Sequence, residues 1–146
     1  LMRDPIERMI SSQRMKLRKQ GLRDAGTEIS TLRERVKKGR GLRSDYGQTL
    51  DALEQAFGLN NCYVGLFETL FTSNTYSTLC NYLQIPYQEP AWRQKVNVSA
   101  TANVIPEDLL AEMGAQQALN LQRARAVFPE VNFDRVWPTA SRWCQP

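Results

Sequence analysis

Only two short stretches of this chain read as strand, residues 1–3 and Cys62–Phe67, while five longer segments carry helical signals. The second stretch is a short apolar run with β-branched and aromatic residues behind an Asn-Asn turn, which is a strand pattern. Two strands alone do not make a stable sheet, which needs about three strands or cover for its edges. The expectation is therefore an α/β chain, mostly helical, whose two strands belong to a larger sheet.

The helices announce themselves by their ends. Asp4 stands where an N-cap belongs, Pro5 at the first helical position and Glu7 at the third, a capping box that starts a helix running to about Gln20, with Gly21 as its stop. Thr27 opens a second helix that ends at Gly39. Ser44 caps a third, in which Tyr46, Leu50, Leu53 and Phe57 recur at spacings of three and four before Gly58. A helix from Thr72 to about Gln84 sets Tyr76, Leu79, Cys80 and Leu83 on one face. Pro106 begins a long helix to about Phe128, apolar at Leu109, Leu110, Met113, Ala118, Leu121 and Phe128. Residues 85–104 read as loop or extended chain, and 129–146 as an irregular tail whose Trp137 and Trp143 pack back onto the body.

Composition narrows the chemistry. The chain has no histidine, which removes the commonest general base near neutral pH, the Ser-His and Cys-His nucleophile pairs and most transition-metal sites. Cys62, Cys80 and Cys144 are odd in number and widely spaced, so they read as free thiols of a reducing compartment, with Cys62 and Cys80 in the core. No apolar run approaches the roughly 18–20 residues of a membrane span, and the expectation is a soluble, cytoplasmic chain with no membrane partner. Residues 1–44 carry 13 Lys or Arg against 5 Asp or Glu, whereas the remainder carries 6 against 10. The plain reading of the basic half is solvated helical faces; the sharper one is a polyanionic partner, nucleic acid or a phosphorylated nucleotide.

The opening corner carries the chemical signal. A strand feeding a capped helix aims the positive end of the helix dipole past the strand's carboxyl end, which favours phosphate, and Arg3 just before it can fork onto phosphate oxygens. Ser11 lies two turns further on. The stretch "RDPIERMIS" resembles the 3′-phosphate-binding motif of the PAPS-dependent sulfotransferases, Arg-(Asp/Asn)-Pro, five variable residues, then Ser, with Arg8 on a frequent middle arginine. Four further pieces are similar to that family in the same order: "SDYGQTLDALEQAFG", "YVGLFETLF", "TLCNYLQIPYQ" and "KVNVSATANVIPEDLL".

The resemblance spans roughly residues 1–128 and implies a P-loop-like parallel sheet, of which this chain supplies two parallel strands, residues 1–146 forming the C-terminal part of one sulfotransferase domain. It implies transfer of a sulfuryl group, in line, from 3′-phosphoadenosine 5′-phosphosulfate (PAPS) to an acceptor hydroxyl or amine. Arg3 and Ser11 would hold the 3′-phosphate. Phe67 would stand near the adenine, where the family's common residue is tyrosine, and Lys95, Asn97 and Ser99 would close a second loop over the phosphate. Glu68 reads as a structural cap. The family's phosphosulfate loop and catalytic base lie upstream of this motif, so the resemblance assigns no catalytic residue here. It implies as partners the nucleotide, an unidentified acceptor, and a preceding segment or a second copy. The alternative is a basic helical module for nucleic acid or assembly, motivated by residues 1–44.

Overall fold

The computed structural model describes residues 1–22, 24–39, 45–93 and 103–144. Helix α1 (Pro5–Lys19) begins because Asp4 Oδ1 accepts the N–H groups of Ile6 and Glu7 at 3.0 and 3.2 Å, with Pro5 pre-set for the first turn. It ends before Gly21, whose φ of 75° suits glycine. Helix α2 (Ala25–Lys37) starts two residues ahead of Thr27, because Asp24 is its cap and accepts the Thr27 N–H at 2.7 Å. Helix α3 (Tyr46–Phe57) is capped by Asp45, which accepts from the Gln48 N–H at 3.0 Å; Ser44, the expected cap, lies outside the described residues.

A single 3-10 turn (Leu59–Asn61) and a one-turn helix α4 (Phe67–Leu70) lead to α5 (Ser73–Tyr82), capped by Thr72. The longest helix, α6 (Glu107–Val127), follows Pro106. It lies at the centre, packing on α1, α2 and α3, and its Leu109, Met113 and Leu121 meet Ile6, Met9 and Leu32 in the core. Each such side chain contributes about 1.5–3 kcal/mol by leaving water.

The tail is ordered rather than irregular. Residues Phe133–Val136 form α7 and Pro138–Trp143 form α8, both too short to show a periodicity in sequence. What holds them is tertiary contact. Trp137, between them, is fully buried, with its ring 4.9 Å from that of Phe133 at 67°. Helix α8 lies so close to α6 that a Cβ built on Gly114 would stand 2.1 Å from the Trp143 carbonyl oxygen, a distance only glycine permits.

The α/β expectation, with two parallel strands of a P-loop-like sheet, is not met: among the described residues there is no strand and no sheet. Residues 63–65 have no regular secondary structure. Leu66 forms one isolated parallel bridge with Met2, in which the Met2 N–H donates to Gly65 O at 2.8 Å and the Phe67 N–H donates to Met2 O at 2.7 Å. The ladder stops there because both segments turn at once into helix, Phe67 beginning α4 and Asp4 capping α1. Side chains take the next backbone groups. Tyr46 Oη accepts the Arg3 N–H at 3.2 Å and donates to Arg3 O at 2.8 Å, while the Asp4 N–H donates to Glu68 Oε1 at 2.9 Å.

Candidate functional site

The bridged segments, Met2–Asp4 and Leu66–Glu68, form the corner on which the sequence signal falls. Asp4 is buried there. Beyond capping α1, its Oδ2 accepts the Ala140 N–H of α8 at 3.0 Å. Burial raises its pKa above the ordinary 3.8, against the opposing pull of the N–H donors of Ala140, Glu7 and Ile6; the nearby Glu7 charge adds to the rise. Glu68 is a clamp, accepting the Asp4 N–H through one oxygen and the Trp137 Nε1–H through the other, each at 2.9 Å.

This geometry changes what the corner can do for an anion. The first free N–H groups of α1, which a phosphate would use at an open helix N-terminus, are already engaged by Asp4. Any anion recruited here must be held by side chains. Arg3 is the side chain available: half-buried, with its guanidinium 5.2 Å from the centroid of the Phe67 ring, and with no carboxylate partner among the described residues. The Phe67 ring is 37% exposed and meets Phe71 edge-on at 4.9 Å.

Two residues expected in one site, Arg3 and Phe67, are thus in contact although 64 positions separate them. Ser11 is two turns along α1, an axial step of about 10 Å from Asp4, half-buried on the helix. Lys95, Asn97 and Ser99 lie outside the described residues.

A second cationic feature adjoins the corner. The Arg8 guanidinium lies 5.6 Å from the Tyr46 ring centroid, and its Nη1 is buried without a hydrogen-bond partner. Arg8 lines a cavity of about 210 Å³ together with Tyr46, Thr49, Leu50, Tyr63 and Val64. Arg35 of α2 donates from Nη1 to Met9 O at 3.2 Å; burial lowers its pKa first and the like charge of Arg8 second. Neither Arg8 nor Arg35 pairs with a carboxylate among the described residues, whereas Arg14 pairs with Glu28 at 2.6 Å, Arg33 with Asp108 at 2.6 Å and Arg123 with Asp51 at 2.8 Å. Within residues 1–44, Arg14 and Arg33 are thus neutralised, whereas Arg3, Arg8 and Arg35, half-buried, and Arg18, exposed, have no carboxylate partner among the described residues. Arg35 carried no sequence signal for this, since its neighbour Arg8 is 27 positions away.

Among the described residues no group of three or more His, Cys, Asp or Glu side chains is placed to hold a metal, and no helix is long and apolar enough to cross a membrane. Set beside family models, curated proteins and solved structures, the chain matches none of them.

Proposed function

We propose that this chain is the 3′-phosphate-binding, C-terminal portion of a sulfotransferase, in which Arg3 and Ser11 engage the 3′-phosphate of PAPS and Phe67 lies against the adenine. The observation that carries the reading is the Arg3–Phe67 pair: a guanidinium with no carboxylate partner among the described residues beside a partly exposed ring, at the start of α1. That combination offers charge and fork geometry to a phosphate and a flat face to a base. The sulfuryl group would pass from the phosphosulfate to an acceptor hydroxyl or amine, breaking one S–O bond and forming another S–O or S–N bond. The acceptor proton leaves to a base that this histidine-free chain does not supply by the usual residue.

The test is a calorimetric titration of 3′-phosphoadenosine 5′-phosphate against 5′-AMP at fixed salt. The expected result is a preference of about tenfold or more for the 3′-phosphorylated nucleotide, as one charged hydrogen bond is worth about 1.5–3 kcal/mol. Arg3→Ala and Ser11→Ala are expected to remove most of it. Equal affinity for the two nucleotides overturns the reading.

One observation favours a second reading, a basic module for nucleic acid: Arg8 and Arg35 are close, like-charged and without carboxylates among the described residues. It predicts binding that weakens steeply with salt, by roughly one counterion per phosphate contact. Salt-insensitive binding dismisses it.

A further inference from the structure

Helix α5 and residues 84–93 carry a second concentration of aromatic side chains. The Tyr76 ring meets Trp92 at 5.7 Å between centroids with the planes at 89°, and Tyr87 at 5.7 Å and 64°. Glu89 braces this group by accepting both the Tyr87 hydroxyl and the Trp92 Nε1–H. Phe71, from the end of α4, adds a fourth ring. Phe71, Tyr76 and Trp92, with Leu70, Pro90 and Ala91, line an open cleft of about 270 Å³.

Perpendicular rings that share a corner and leave space between them form walls. The face of each ring is the negative side of its quadrupole, so a cleft walled by rings favours a positive charge with an apolar surface. Its one hydrogen-bonded brace is a carboxylate, which adds attraction for a cation and repels a phosphodiester. A neutral ring would gain the apolar contact and none of the electrostatic part.

We propose that Phe71, Tyr76 and Trp92, braced by Glu89, form a binding site for a compact organic cation, a quaternary or methylated ammonium group. The site adjoins the Arg3 corner but is lined by other residues, and it does not depend on the sulfotransferase reading. Its wall Phe71 also touches Phe67, so the two sites share an edge.

The experiment is a titration of the full chain with choline and with its uncharged carbon isostere, dimethylbutanol, followed by NMR at the indole N–H of Trp92, assigned with Trp92→Phe. Choline is expected to shift that resonance saturably and to bind about fivefold or more tightly than the isostere. Trp92→Phe is expected to retain choline binding, read on the Tyr76 ring. Tyr76→Ala is expected to abolish it, and Glu89→Gln to weaken it severalfold, with far-ultraviolet circular dichroism unchanged in each. Absence of saturable binding, equal binding of the isostere, or choline binding that survives Tyr76→Ala overturns the proposal.

Discussion

Asp4 and Ala140, 136 positions apart in the chain, are joined by a 3.0 Å hydrogen bond from the Ala140 N–H to a carboxylate whose other oxygen caps α1. One buried side chain therefore starts the first helix and fixes the last, and it does so while desolvated.

The pH dependence of stability follows from that burial. With the Asp4 pKa raised above 3.8, the folded chain keeps a proton over a range in which the unfolded chain has lost it. Asp4's contribution is thus fully present below 3.8 and is lost as pH rises through its folded value. Urea unfolding in small steps from about pH 3 to 6 is expected to show this falling component, and Asp4→Asn, which cannot ionise, is expected to remove it.

Gly114→Ala separates helix propensity from packing. In an exposed helix the change would stabilise by up to about 1 kcal/mol. Here the new Cβ meets the Trp143 carbonyl oxygen at 2.1 Å and its carbon at 2.5 Å, which are backbone atoms of α8. The expected outcome is a loss of about 2–3 kcal/mol in urea unfolding, with increased exchange of the α8 amides.

Glu68 is expected to behave as a two-ended acceptor rather than as an acid. Glu68→Ala leaves the Asp4 N–H and the Trp137 Nε1–H unpaired, at about 1–3 kcal/mol each. Glu68→Gln keeps one carbonyl acceptor and is expected to lose about half as much. Equal losses in the two variants would show that the hydrogen bonds are not what Glu68 contributes.

Thiol reactivity should rank by position. Burial, with the nearby charge of Asp4 opposing ionisation further, pushes Cys144 up to about 12, and Cys80 is buried. Cys62 is half-buried. Iodoacetamide at about pH 8, read by peptide mass spectrometry, is expected to label Cys62 first in the folded protein and all three after unfolding.

What could be read from the sequence depended on how local its cause was. Helix α1 was legible from its cap and proline, α6 from Pro106 and its apolar spacing, and α3 from its apolar spacing and Gly58, although Asp45 rather than Ser44 caps it. The start of α2 is ambiguous in the sequence because Asp24 and Thr27 are both capping types three residues apart, and the carboxylate takes the bond. The strand at Cys62–Phe67 failed for a non-local reason: an apolar run becomes a strand only if neighbouring backbone is there to pair with it, and here Met2 supplies one bridge. Helices α7 and α8 owe their order to Trp137 burial and the Asp4–Ala140 bond, neither visible in a window of six residues. In the candidate site, Arg3 and Phe67 were singled out individually, whereas the unneutralised set of Arg8 and Arg35 depends on the crossing of α1 and α2.

The Tyr46 hydroxyl has a consequence for how this chain meets others. An extended segment alternates the sides to which its amides point, so Met2 serves the Leu66 flank and Arg3 the opposite one. On that outer flank a single phenol consumes both polar groups of Arg3. A foreign β-segment arriving there finds a stopper instead of a template, and zippering onto it requires the phenol to swing out first. Tyr46→Phe would leave both of those polar groups without this partner and so open to an added strand.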